Sequence, residues 1–306
     1  LPKKGDAAML QDDIRRLKTE KNAVILAHYY QDAAVQDIAD FVGDSLELSK
    51  IAAQTDAKII VFCGVNFMAE TAKILSPEKK VLLPVKEAKC PMAMMISADQ
   101  LREYKQGHPE RKIVCYVNSY ADVKALSDVC VTSSNAEKIV AAFGNEKILY
   151  IPDQNLGKYL KNKFGFDIDV WPGFCCIHHR LKPSLVRQEK AKHPQALFLV
   201  HPEAPWEVVK LADYVGSTRG IIAFATASSA QEFIIGTEKG ILHPLQKANP
   251  NKKFHILTPD LACFDMKLTT LDDVYRSLRD ETFEITVPEE TRKEAYRALA
   301  KMLEMS

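Results

Sequence analysis

The sequence predicts an α/β protein built from three αβα units, each with its own parallel sheet, related by an approximate threefold axis and packed around a common point. Three observations carry this expectation. Apolar, β-branched runs alternate with amphipathic helical patterns, as βα units on parallel sheets require. The alternation recurs in register three times along 306 residues. Each copy also leads to a cysteine: Cys90, Cys175 and Cys263 are 85 and 88 residues apart.

The elements follow in order. The run Val24-Ile25-Leu26-Ala27-His28 has counterparts at 113–118 and 197–201, so that His28, Asn118 and His201 end the first strands at separations of 90 and 83 residues. A short second strand then runs into small hydroxyl residues that open a helix: Val42-Gly43-Asp44-Ser45, Val131-Thr132-Ser133-Ser134 and Val215-Gly216-Ser217-Thr218. Third strands start near Lys58, Lys147 and Glu232 and pass through Gly64-Val65-Asn66, Pro152-Asp153-Gln154 and Gly236-Thr237-Glu238 into another helix. Fourth strands, 81–85, 168–172 and 254–259, lead to the cysteines.

Amphipathic helices follow around 98–105, 184–192 and 271–278, the last with a strand at 283–287 behind it; the first unit's equivalent is an N-terminal helix at 7–18. The last helix, 289–303, carries Ala295, Leu299 and Met302 on one face. The two ends of the chain are therefore expected to pack together and close the arrangement. The units divide as 1–89 (joined by 264–306), 90–174 and 175–263, and no Pro- or Gly-rich linker separates them.

Composition narrows the function. With 41 basic against 40 acidic side chains, the net charge of +1 gives no field for nucleic acid or an acidic membrane surface. No apolar run approaches the ~20 residues of a spanning helix. The start, Leu1-Pro2-Lys3-Lys4-Gly5, has no apolar segment behind it and lacks Met, and reads as a trimmed or engineered end. A cytoplasmic protein is expected. Seven cysteines, an odd number, argue for buried thiols, a metal site or a nucleophile rather than a disulfide framework.

Strand ends of parallel sheets gather at the carboxyl edge, where ligands bind. Three units sharing an axis bring Cys90, Cys175 and Cys263 to equivalent loops facing one point. Three thiolates select zinc, copper(I) or an iron–sulfur cluster. A 4Fe-4S cluster with one iron left open fits best; a closed zinc site would want His178 or His179 as fourth ligand. Cys63, Cys115 and Cys130 lie inside apolar strands and read as small buried hydrophobes. Cys176 adjoins Cys175, and register favours Cys175. Hydroxyl-rich helix starts at Ser45, Ser133 and Thr218 offer anion sites, against simple N-capping. His28, His201, Asn118, Tyr30, Tyr116 and Glu203 supply acid–base groups on the same edge.

These residues resemble the quinolinate synthase family. The resemblance rests on the segment Ile25-Leu26-Ala27-His28-Tyr29-Tyr30-Gln31, Asp37-Ile38-Ala39-Asp40 with Gly43-Asp44-Ser45, the motif GVNFMAET at 64–71, Cys90-Pro91-Met92-Ala93 and Tyr116-Val117-Asn118-Ser119. It continues through Thr132-Ser133-Ser134-Asn135-Ala136, Pro152-Asp153, Asn155-Leu156, Trp171-Pro172-Gly173-Phe174-Cys175, His201-Pro202-Glu203, Gly216-Ser217-Thr218 and Cys263 with Met266. It implies a central 4Fe-4S cluster held by Cys90, Cys175 and Cys263, and condensation of iminoaspartate with dihydroxyacetone phosphate to quinolinate, phosphate and two waters. It implies substrate contacts from His28, Ser45, Tyr116, Asn118, Ser133, His178, His201, Glu203 and Thr218, with Tyr30 beside them. Glu203 with His201, and Tyr30 with His28, are the expected proton-transfer groups. The expected partners are the two substrates and the enzyme that supplies iminoaspartate. Met94, His179 and Arg219 depart from the family pattern. The competing expectation is a metal- or cluster-containing sensor that binds a small anion without turnover.

Overall fold

The computed structural model describes residues 4–306; the Leu1-Pro2-Lys3 start lies outside the described residues. Strands β1 (Ala23–His28), β2 (Phe41–Gly43), β3 (Ile59–Cys63) and β4 (Lys80–Leu82) make the first sheet. Strands β5 (Lys112–Tyr116), β6 (Val129–Val131), β7 (Ile148–Ile151) and β8 (Ile168–Val170) make the second, and β9 (Leu197–Val200), β10 (Tyr214–Val215), β11 (Glu232–Gly236) and β12 (Lys253–Ile256) the third. In each sheet the second strand pairs beside the first, then come the third and fourth, and all these pairings are parallel.

The strands read as continuous apolar runs because helices or neighbouring units cover both faces, so that β3, Ile-Ile-Val-Phe-Cys, is buried throughout. An aspartate clip repeats as well. The carboxylates of Asp40, Asp128 and Asp213, each ahead of a second strand, accept the N–H of Ile25, Ile113 and Phe198 at 2.8, 2.7 and 2.7 Å. This bond fixes where the first and second strands start relative to each other in all three units.

The amphipathic helices Ala98–Gly107, Pro183–Lys192 and Leu271–Asp280 occupy equivalent places, and their starts are encoded locally. Ser97 with Gln100 and Thr270 with Asp273 form reciprocal capping boxes, while the middle helix starts on Pro183, whose missing N–H needs no partner there.

Closure of the chain ends differs from the expectation in one respect. Helix Lys4–Glu20 packs on helix Leu271–Asp280, where Ile14, Leu17, Val274 and Leu278 share a core with the first sheet. The final helix, Glu289–Glu304, instead lies against helices Asn66–Leu75 and Ala121–Lys124 and strand β6, at the junction of the first two units, with Ala295, Leu299 and Met302 buried. The strand expected at 283–287 is not a full strand. Leu82 and Glu284 form a single antiparallel bridge, because Glu281 and Phe283 take positive φ values of 53° and 58° and Pro288 opens the next helix. No helix of the described residues is long and apolar enough to cross a membrane.

Buried polar contacts join the units. Gln36 Nε2 donates to the carbonyls of Tyr29, Gln31 and Gly240 at 2.9–3.0 Å, tying the first unit to the third. Gly240 is required there, since a Cβ would stand 2.7 Å from the Tyr29 carbonyl oxygen. Lys124, fully buried between the first two units, donates to Ser119 O at 2.6 Å and Thr71 Oγ1 at 3.0 Å.

Candidate active site

The carboxyl ends of the three sheets face one another across a central cavity. Its wall includes Cys90, Cys175 and Cys263, one from the loop after the fourth strand of each sheet. The first-strand ends add His28, Tyr30, Tyr116, Asn118, His201 and Glu203. Ser45, Ser133 and Thr218 come from the second-strand loops, and His178 from the turn after Cys175. The structure therefore brings Cys90, Cys175 and Cys263 together with the residues singled out in the sequence for substrate contact and proton transfer, at the position open α/β sheets use for ligands.

The three cysteines have matching surroundings. Backbone N–H groups of Ala93, His178 and Met266, each three residues on, lie near the sulfurs of Cys90, Cys175 and Cys263. Burial pushes all three thiols up, Cys263 to about 12, while these N–H groups pull the other way and favour the thiolate. The loops are held from behind by carboxylates at the third-strand ends. Asp153 accepts from Cys175 N–H and Glu238 from Cys263 N–H, both at 3.2 Å, and each also takes an N–H from its own following turn, Leu156 at 2.6 Å and Gly240 at 2.6 Å. Both carboxylates are fully buried. Three sulfurs, one from the loop after the fourth strand of each sheet, are a donor set suited to a soft metal centre, and no fourth cysteine lines the cavity. Cys175, His178 and Glu203 form a tighter group, with ligand atoms all within 4.8 Å of one another.

Glu203 is the hub of the polar wall. Tyr116 Oη donates to its Oε1 at 2.7 Å, and His178 Nδ1 lies 2.8 Å from its Oε2 and 3.2 Å from Cys175 Sγ. Burial alone would raise this carboxyl, but His201, His178 and Tyr116 outweigh it and hold it down at about 2. Glu203 is therefore an ionised carboxylate. With Nδ1–H donating to it, His178 Nε2 accepts from Thr237 Oγ1 at 2.9 Å; Thr237 lies 2.7 Å from Tyr30 Oη, which accepts from Thr218 Oγ1 at 3.0 Å. A hydrogen-bonded chain thus runs from Thr218 through Tyr30, Thr237 and His178 to Glu203.

His28 and His201 are neutral. Burial, with each other site histidine adding to it, lowers them to about 3 and about 4. Their tautomers follow from the backbone: Tyr30 N–H donates to His28 Nδ1 at 3.1 Å and Glu203 N–H to His201 Nδ1 at 3.3 Å, so the proton of each ring sits on Nε2. His201 Nε2 stands 3.1 Å from Ser133 Oγ. Asn118 Oδ1, on the same wall, is buried without a hydrogen-bond partner and suits a ligand's N–H or O–H.

Other expectations change in detail. The three helix starts are not equivalent anion sites. Asp44, not Ser45, caps the first helix, Ser45–Gln54, and its carboxylate consumes the N–H groups of Leu46 and Glu47. Ser217 caps helix Thr218–Ala227, whereas Ser133 sits in a turn ahead of helix Ala136–Ala141 because Asn135 Oδ1 bonds back to Thr132 N–H. What the three loops share is a junction, with Ser134 Oγ donating to Asp44 Oδ2 at 2.6 Å and lying 2.8 Å from Ser217 Oγ. Cys176 and His179 do not line the cavity; His179 stacks on Phe174 and meets Asn155. Met94 is exposed, and Arg219 points outward to pair with Glu47 at 3.2 Å. Asp153, Thr237 and Glu238 had no role in the sequence reading, although their places at equivalent third-strand ends were the signal that could have found them.

A family model described as Quinolinate synthetase A protein matches residues 12–304. The chain is 55% identical over 295 residues to a quinolinate synthase of Alkaliphilus metalliredigens, covering 96% of this chain and 97% of that one. It is 54% identical over 298 residues to a quinolinate synthase of Caldicellulosiruptor bescii, at 97% and 98% coverage. To quinolinate synthase 2 of Methanosarcina acetivorans it is 46% identical over 298 residues, at 97% and 96%.

Proposed function

The chain belongs to the quinolinate synthetase A family, an enzyme family of NAD biosynthesis, and from that premise we propose the ligands and residue roles of its quinolinate synthesis. The substrates are iminoaspartate and dihydroxyacetone phosphate, which combine to quinolinate, phosphate and two waters. The supporting observation is the meeting of three thiols, one from the end of each sheet, with an ionised Glu203 around one cavity. Membership of an enzyme family favours turnover over the small-anion sensor.

Cys90, Cys175 and Cys263 hold a 4Fe-4S cluster; the backbone amides near their sulfurs, which favour the thiolate, fit that role. When bound, a cluster with one iron not ligated by protein supplies Lewis acidity toward a substrate oxygen. The remaining work falls to side chains. The hydroxyls of Ser45, Ser133 and Thr218 and the amide of Asn118 bind the phosphate and carboxylates. Glu203 takes the proton from carbon next to the carbonyl when the ketose becomes an aldose, as its ionised state allows. His201 and His28, neutral with the proton on Nε2, act as hydrogen-bond donors to substrate oxygens rather than as imidazolium acids. Tyr30 and Tyr116, whose hydroxyls burial keeps protonated, position intermediates, and the Thr237–His178 link carries protons toward Glu203. A cytoplasmic location and a handover from the iminoaspartate-supplying enzyme complete this reading.

The test is iron and sulfide per chain, with quinolinate formation, in protein purified without air. Cys175→Ser should lose cluster and activity, while Cys176→Ser, whose thiol lies off the cavity, should keep both. Retention of full iron and sulfide in Cys175→Ser refutes the ligand assignment.

A further inference from the structure

A second cluster of metal-ligating side chains lies at the other end of the third sheet, in residues that the catalytic reading does not use. His193 follows helix Pro183–Lys192, Glu232 opens β11, and His255 lies in β12, the strand beside β11. The site cavity lies beyond the far end of β11, about 13 Å along the strand at about 3.3 Å per residue. His193 Nδ1 and His255 Nε2 converge on the same oxygen, Glu232 Oε1, at 3.1 and 2.8 Å, with their rings stacked at 3.6 Å. The three ligand atoms lie within 4.8 Å of one another.

We propose that His193, His255 and Glu232 form a binding site for a zinc-class divalent transition ion. Two imidazoles with one carboxylate suit zinc and its neighbours, whereas calcium and magnesium prefer all-oxygen sets. The distances fit. Zinc bonds of about 2.0–2.2 Å at angles of about 90–110° put donor atoms about 2.9–3.4 Å apart. The two nitrogen–oxygen separations, 3.1 and 2.8 Å, fall in or just below that range. Glu189 Oε1, 3.5 Å from His193 Nε2, is placed to hold the opposite nitrogen of that ring, the outer carboxylate that zinc-bound histidines commonly have. Glu232 is already held below its usual range, first by its hydrogen bond with His255 and also by that with His193, so the carboxylate is ionised and ready as a ligand. All three residues are about one-quarter exposed, which gives an ion entry and leaves water to complete a tetrahedron. The ion would staple the end of helix Pro183–Lys192 to the starts of β11 and β12 in the third unit.

The experiment uses cluster-loaded protein, handled without air so that the cysteines stay occupied. Zinc is titrated in competition with a chromophoric chelator, and crystals soaked in zinc are measured at the zinc absorption edge. Wild type should bind one zinc at this site, with an anomalous peak between the three residues and a raised Tm. His193→Asn and His255→Asn should each weaken binding by about 100-fold or more, since loss of outer partners alone costs about 10–100-fold. Glu232→Gln should do the same, and quinolinate formation should be unchanged in all three. Absence of zinc binding in wild type, binding unaltered in the histidine variants, or an anomalous peak elsewhere would each overturn the proposal while leaving the catalytic reading intact.

Discussion

Replacing Glu203 with Gln tests the chemistry most directly. The carboxylate oxygens face two donors, Tyr116 Oη at 2.7 Å and His178 Nδ1 at 2.8 Å. A glutamine has one oxygen and one NH2 to place between them. Its oxygen can still accept from His178 Nδ1–H and its NH2 can donate to Tyr116 Oη, but the amide takes no proton at neutral pH. The loss of a positioned base is worth about two to four orders of magnitude, or about 2.7–5.4 kcal/mol of barrier. Turnover should fall by that factor with little change in KM, because the hydroxyls of Ser45, Ser133 and Thr218 and the amide of Asn118 remain to bind substrate. Quinolinate is assayed without air on protein matched to wild type in iron, sulfide and circular dichroism. A Glu203→Gln protein with full iron and turnover within tenfold of wild type removes Glu203 from the base role.

Two further outcomes follow from buried ionisable groups. His28 and His201 have folded values lowered to about 3 and about 4 from an unfolded value near 6.5. The unfolded chain therefore binds more protons below pH about 6.5, and the stability present above that value is lost as pH falls. At pH 5 each histidine costs about 2 kcal/mol; Tm should drop between pH 7 and 5, the drop should shrink in His28→Gln, and an unchanged slope would contradict a neutral buried His28. Lys124→Met removes the donor from Ser119 O and Thr71 Oγ1 while leaving those acceptors buried, and should cost about 2–4 kcal/mol in urea unfolding. A loss under 0.5 kcal/mol would show that Lys124 does not hold the first two units together.

Much of the fold was legible because parallel βα units are encoded locally. Apolar runs of strand length, a capping box at Ser97 or Thr270 and a proline at Pro183 each act within a few residues. Repetition of those signals in register then placed Cys90, Cys175 and Cys263 in equivalent loops. The stretch at 283–287 misled because its apolar residues suit a strand, while the positive φ values of Glu281 and Phe283 come from the chain's turn onto β4 and leave room for one bridge. Ser133 misled because capping depends on which oxygen the fold aims at which amide, and Asn135 bonds back to Thr132 instead.

The sequence by itself determined the three-unit architecture, the cysteines and the polar residues at the strand ends, since spacing along a strand decides what emerges at its carboxyl edge. Only the tertiary structure decided how those groups act. Glu203 is ionised between Tyr116 at the end of β5 and His178 in the turn after Cys175, His28 and His201 are neutral because burial outweighs their charge, and Asp153 and Glu238 brace the cysteine loops. His193, Glu232 and His255 meet only because a helix end and two strand starts pack side by side. Protonation and convergence depend on distances across the packed interior, and no local spacing encodes those.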